Sequence, residues 1–370
     1  MTDVSVIPVL CCTDLDEMVD FLVGLGARVD SIAPADTPGE VFLSFDGSSI
    51  CARRTDEAVT SHLIVRRAGE SFTVQAPNGA MLEFRSDTAE LVIPPSVPSL
   101  SVVTGGGDSG GDFGVGRAGM EYRDLLPDRW GGRFIASHIR IADGGDVPDS
   151  VHYHRIRFQM IFCARGWVDL VYEDQGESFR LHAGDCVLQP PEIRHRVLRS
   201  SPGLEVIEIG CPAVHDTMYE HEIALPTAAC RPDRDFGGQR FVRHVAAEAT
   251  RVASAVDGLE LRDTGIATAT DGLAGAVVVG AAMPVDESSC VLTHDAEFVL
   301  VVGLDGNALI TIDVGAGDER SVSIAARDAI ALPPGARWRW SCWDADFEFL
   351  QVSLGADAVT PFGSVDAFSD

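Results

Sequence analysis

Three histidines and one glutamine have the types and spacing that chemistry would need. His152 and His154 lie two apart, so on a β-strand both imidazoles leave the same face. Gln159 follows, Gly166 marks the next turn, and His195 closes the run GDCVLQPPEIRH that begins at Gly184. Three imidazoles and a neutral amide oxygen can surround one divalent first-row metal and leave positions open for water or substrate. Fe, Zn, Ni and Mn all accept such donors, with Fe(II) as the leading expectation. Tyr153, Glu192 and His138 are candidate acids and bases, His138 because it alternates with Ile135, Ile139 and Ile141. Ile161 and Cys163 share the parity of Gln159 and are expected to form an apolar wall, with Tyr172 beside it. Arg155, Arg157, Arg194, Arg196 and Arg199 crowd these motifs and suggest an anionic substrate, with Arg194 the candidate clamp. Half or more of them are expected to pair with surface carboxylates instead.

The rest of the composition removes whole mechanisms. The chain has 370 residues and a formal charge of −28, from 56 acidic residues against 28 basic ones, all of them Arg. Without lysine there is no Schiff base, no pyridoxal-phosphate anchor and no P-loop amine. Such acidity argues against nucleic acid as a partner. Nine cysteines without a C-x-x-C pair point to reduced thiols, and the adjacent Cys11 and Cys12 read as small strand-end hydrophobes. No apolar run is long enough to span a membrane, and the start of the chain has no signal-peptide pattern. A cytoplasmic protein with a small-molecule substrate is the expectation.

The elements that must position these residues come as an internal repeat. GMEYRD at Gly119 returns as GLELRD at Gly258, the run from Phe158 matches that from Phe298, and GDCVLQPPEIRH from Gly184 meets RDAIALPPGARW from Arg327. The offset drifts only from 139 to 143, which indicates a duplicated unit. Each copy consists of short Val/Ile/Leu/Phe runs divided by Gly, Pro or Asp, as at 134–141, 159–163, 167–172, 185–189 and 204–209, the pattern of an antiparallel sandwich or barrel. Pro94, Pro95, Pro98 and the glycine-rich stretch from Thr104 to Gly116 read as a linker.

The pattern H-x-H-x4-Q-x6-G followed by G-x5-P-x4-H resembles the two motifs of the cupin superfamily, and the match covers residues 119–356 as a bicupin. That resemblance implies metal ligands at His152, His154, Gln159 and His195. Gln159 stands where the family usually has Glu, which removes a negative charge and leaves the metal more electrophilic. Glu192 replaces the usual Gly of the second motif, and Arg199 stands where Asn is frequent. In the second copy Leu292, His294, Val299 and Trp338 fall on the four ligand positions, so that barrel is expected to be structural or to help dimerise, its mouth filled by Trp338, Trp340 and Trp343.

The first ninety residues read as strand, helix, strand and further strands. Asp14 is the expected N-cap with Glu17 at capping-box spacing, Met18, Phe21, Leu22 and Leu25 recur at helical intervals, and Pro77-Asn78-Gly79 reads as a turn. Through PVLCCTDLDEMVDFLVGLG and PNGAMLEF this region resembles the glyoxalase/bleomycin-resistance (vicinal oxygen chelate) superfamily. Glu83 fits one metal-ligand position of that family; too few others follow, so a binding or dimerisation module, and a homodimer, are expected. The expected fold is mostly β: two tandem cupin (jelly-roll) barrels preceded by a small α+β vicinal-oxygen-chelate-like domain. Its divisions are 1–90, a linker at 91–118, a metal-binding first cupin at 119–228, a connector at 229–257, a degenerate second cupin at 258–356 and a tail. The functions in view are a non-haem Fe(II) dioxygenase acting on a small anion; a non-redox metal-dependent isomerase, cyclase or lyase; and a ligand-binding or regulatory protein without turnover.

Overall fold

The computed structural model describes residues 5–24, 26–45, 48–56, 62–67, 70–75, 81–86, 91–105, 113–315, 319–355 and 364–365. Leu25, the Pro77–Gly79 turn, the centre of the glycine-rich stretch and most of the tail lie outside them. The chain is mostly β.

The first barrel has two facing sheets. One runs Val242–His244, Cys186–Leu188, Phe158–Arg165, Leu204–Cys211, Ile135–Ile141, Glu121–Asp124 and Gly114–Val115; the other contains Phe179–His182, Trp167–Tyr172, His195–Ser200, His152–Arg155 and Asp216–Tyr219. The second barrel repeats this plan in register. Gln159 pairs with Gly210 as Val299 pairs with Ser353, His152 faces His195 as Leu292 faces Trp338, and the bulge at Cys163/Arg165 recurs at Gly303/Asp305. Gly166 and Gly306 both take positive φ, 76° and 59°, at the turn that follows. A Cβ on Gly166 would meet Ser201 Oγ at 2.2 Å, so that turn needs glycine for space as well as conformation.

The two barrels pack back to back. Along Phe158–Arg165, Phe158, Met160 and Phe162 point away from their own barrel and join Phe298, Leu300 and Val302 in one core, while Gln159, Ile161 and Cys163 point inward. The rings of Phe134 and Phe298 stack at 4.2 Å and Trp130 meets Phe298 edge-on at 5.1 Å, all fully buried. Such pairs each add about 1 kcal/mol beyond the area they remove from water. Arg327 of the second barrel donates to Glu205 of the first at 2.5 Å and to the Ala164 carbonyl at 3.3 Å at the margin of this face. The described ends of the segment expected as a linker both join sheets. Ser101–Val103 adds a strand to the second barrel beside Ala329–Ala331, and Gly114–Val115 pairs with Glu121–Tyr122.

The N-terminal module is not a separate bead. Ser5–Cys12, helix Leu15–Gly24, Arg28–Ala33, Glu40–Phe45 and Ser48–Arg54 follow one another as strand, helix, strand, strand, strand, in the sheet order Arg28–Ala33, Glu40–Phe45, Ser48–Arg54, Ser5–Cys12. Asp14 caps the helix by accepting from the Glu17 amide at 3.0 Å. Leu15 and Leu22 are buried beneath the helix, whereas Phe21 is exposed, against the expected apolar stripe. The outer strand Arg28–Ala33 pairs with Asp216–Tyr219 of the first barrel, Ser31 opposite Met218 and Ile32 opposite Thr217. One thirteen-stranded sheet therefore runs through module and barrel.

Candidate metal centre

Cross-strand pairing builds the site. His152 lies directly opposite His195, and His154 directly opposite Thr217. One ring nitrogen from each of the three buried histidines lies within 4.8 Å of the others, and no other group of three potential metal ligands occurs among the described residues. Each imidazole is held by its Nδ1. That of His152 donates to the Ser150 carbonyl at 2.8 Å and that of His195 to the Ile193 carbonyl at 2.9 Å, while His154 Nδ1 meets Thr217 Oγ1 at 3.1 Å. A carbonyl only accepts, so the proton of His152 and of His195 is on Nδ1 and the lone pair on Nε2. Burial drives all three pKa values down: His152 and His154 well below the usual imidazole value, helped by neighbouring imidazoles and Arg117, and His195 to about 4. Neutral rings are what a metal requires, and the Nε2 lone pairs of His152 and His195, which face Arg117 and Gln189, are the ones that would turn to it.

Gln159 is oriented by a residue invisible to motif reading. Its Nε2 donates to Glu208 Oε1 at 2.5 Å, so its Oε1 faces the other way and accepts from Gln189 Nε2 at 3.3 Å. The same Gln189 nitrogen lies 3.1 Å from His195 Nε2, which brings the Gln159 oxygen and the His195 lone pair to one place. Tyr172 sits behind them, its ring stacked on His195 at 5.5 Å and its hydroxyl donating to Gln189 Oε1 at 3.0 Å. Arg117 completes the polar end. Its Nη2 lies 2.9 Å from His152 Nε2 and its Nη1 pairs with the fully buried Asp149 carboxylate. The remaining walls of a cavity of about 90 Å³ are apolar, among them Met120, Ile139, Ile161, Leu170 and Val206.

No protein-family profile and no curated protein sequence matches the chain. Solved structures do. The formate complex of Lactobacillus farciminis oxalate decarboxylase is 12% identical, with a TM-score of 0.51 over 75% of this chain and 90% of that one. The fold is that of a bicupin. A deletion mutant of Bacillus subtilis oxalate decarboxylase OxdC matches at 12% identity and a TM-score of 0.49 over 72% and 79%, and protein Ylba from E. coli at 11% and 0.47 over 72% and 95%.

Within this fold the other sequence candidates separate by strand parity. Ile161 lines the cavity. Tyr153 does not: between His152 and His154 it faces outward, beneath the Arg194 guanidinium at 4.2 Å. Arg194 itself is drawn to Glu220 at 3.3 Å, and it lines a separate open groove of about 990 Å³ with Arg155, Arg157 and Glu192. Glu192 sits in the left-handed region at φ 59°, which explains the glycine usual there, and its exposed carboxylate lies 3.8 Å from Arg155. His138 points to the opposite face from Ile139 and Ile141, held between Arg123 at 3.2 Å and Glu205 at 3.1 Å. Cys163 is buried in the barrel core, its thiol donating to the Arg165 and Gly166 carbonyls and pushed up to about 12 by burial. Tyr172 supports His195 and does not face the cavity. Arg117, Gln189, Glu208, Thr217 and Asp149 are the partners that sequence reasoning missed.

The second barrel has an aromatic interior. Trp338, Trp340, Trp343, Phe347 and Phe349 fill it, and His294 lies edge-on to Trp338 at 5.7 Å. In the N-terminal module, Glu83 does not stand free for a metal: Arg53 and Arg85 hold it at 3.1 Å and 2.8 Å.

Proposed function

We propose that the first barrel is a metal-dependent enzyme site acting on a small organic anion, and that its chemistry is that of an Fe(II) dioxygenase. One observation carries this: three neutral, pinned imidazoles and the Gln159 oxygen converge at the polar end of a small cavity whose other walls are apolar. These donors fit a divalent first-row ion, and none of them needs to lose a proton at neutral pH to bind one. When bound, such an ion supplies Lewis acidity and, as Fe(II), the electron chemistry that dioxygen requires.

The chain's own residues do the rest. Arg117 presents a guanidinium to the anion and is kept in place by Asp149, the role first assigned to Arg194. The apolar wall excludes water and admits an apolar co-substrate. A second reading, a non-redox isomerase, cyclase or lyase using Zn, Ni or Mn, is favoured by Glu208. Its enclosure raises its pKa, and with Oε1 occupied by Gln159 its Oε2 can hold a proton inside the cavity. The relatedness in fold to oxalate decarboxylases suits a small carboxylate substrate under either reading.

Elemental analysis of the purified protein comes first. Fe(II) is then added anaerobically, air admitted with small carboxylic acids, and oxygen followed. Uptake that depends on iron and vanishes in His152→Ala supports the dioxygenase. Metal-dependent conversion without uptake supports the second reading. Full ligand binding by His152→Ala, with no turnover by the parent chain, refutes both and leaves a binding protein.

A further inference from the structure

The N-terminal module forms part of the wall of the metal cavity. Strand Arg28–Ala33 pairs with Asp216–Tyr219, whose Thr217 lies opposite His154, so the module is separated from a ligand strand by a single strand. Immediately after it the chain bends, and Ala35 lines the cavity with His152, His154 and Gln159. Every other residue of that lining lies at Arg117 or beyond. Asp36 is buried, and its Oδ2 lies 2.6 Å from Arg129 Nη2, a guanidinium that Asp124 also holds at 2.8 Å. On the barrel side, a Cβ on Gly116 would come within 3.2 Å of the Asp36 carbonyl, so the loop packs directly against the residue before Arg117.

We infer that Ala35 is the size-determining residue of the metal cavity and that the Asp36–Arg129 ion pair is the latch that holds it there. The inference rests on the reading of this cavity as a metal-centred site for a small anion. The bend is anchored at its start by a paired strand and again, one residue past Ala35, by a buried ion pair. The loop therefore has little freedom to retreat from a larger guest, and the volume at this wall is set by the side chain at position 35. Alanine leaves room there; a longer side chain fills a cavity of only about 90 Å³. Neutralising Asp36 removes the charge that ties the loop to Arg129, which stays paired with Asp124 alone, and favours an open loop. The module thus selects what reaches the metal.

The test uses the full chain loaded with Co(II), whose visible absorption reports on ligands at the metal. Formate and benzoate serve as small and large anionic probes. In the parent chain formate is expected to bind more tightly than benzoate. Ala35→Phe is expected to weaken formate about tenfold or more with cobalt stoichiometry unchanged. Ala35→Gly is expected to narrow the formate-to-benzoate ratio severalfold, a change in size discrimination that general damage to the fold would not produce. Asp36→Asn is expected to release cobalt to EDTA severalfold faster, and it keeps the inference testable if Ala35→Phe does not fold. Parent-like affinities in both Ala35 variants, or a cobalt-loaded parent whose spectrum neither anion moves, overturn the gate. A parent chain that takes up no cobalt overturns the metal centre itself.

Discussion

Acid should weaken the metal-free protein by an amount that His195 makes calculable. Its imidazole is buried and titrates at about 4 when folded, against about 6.5 when unfolded. Below the unfolded value the unfolded chain binds a proton that the folded chain refuses. The contribution is therefore complete above about pH 6.5, declines as pH falls, and is exhausted near pH 4. At about 1.4 kcal/mol per unit the full loss is about 3 kcal/mol, of which about 2 kcal/mol is gone by about pH 5. His152 and His154 are depressed in the same sense and add to it. An opposing effect comes from the charge of −28, because acidification relieves repulsion among the carboxylates. The measurement must therefore be a difference: urea denaturation of the EDTA-treated parent and of His195→Gln, each at about pH 7.5 and about pH 5. The parent should lose about 2 kcal/mol more than the variant between the two. Equal losses would refute the claim that His195 is buried and neutral.

Three further outcomes follow from geometry. Gly166→Ala places a Cβ 2.2 Å from Ser201 Oγ at a backbone φ of 76°, and should cost about 3 kcal/mol of unfolding free energy. Thr217→Val removes the Nδ1 partner of His154, and equilibrium dialysis should show Zn(II) or Co(II) affinity lowered by about tenfold or more, with folding intact. Leu292→His with Trp338→His re-creates, around His294, the register that places His152 opposite His195; metal stoichiometry should rise from one to two, while loss of the buried Trp338 lowers stability by about 3–5 kcal/mol.

Much of the scaffold was legible because duplication is a one-dimensional signal. The offset between repeats predicted that Leu292, Val299 and Trp338 would replace ligands, and the strand registers put them at those positions. Period-two alternation also carried further than it was first applied. The rule that sends His152 and His154 inward sends Tyr153 outward, and the one that turns Ile139 and Ile141 to the cavity turns His138 away. Gln189 could have been found the same way, two residues after the inward-facing Val187. Glu208 was harder. Its strand, Leu204–Cys211, is apolar on both faces because one lines its own barrel and the other packs on the second barrel, so alternation does not reveal which side is inside. Arg117 and Ala35 lie far from the motifs along the chain and reach the site only through tertiary pairing, whereas Asp149, three residues before His152, gains its role only from the Arg117 that pairs with it.

The back-to-back packing of the two barrels divides labour between them. The first carries what weakens a fold: a hollow interior, three neutralised imidazoles and an enclosed guanidinium. The second has a dense aromatic filling, and the core shared through Phe134, Phe158 and Phe298 couples the unfolding of one to that of the other. The silent copy thereby acts as ballast. Substitutions in the cavity wall therefore act on a barrel braced by its neighbour, which leaves the lining of the cavity freer to change over evolutionary time.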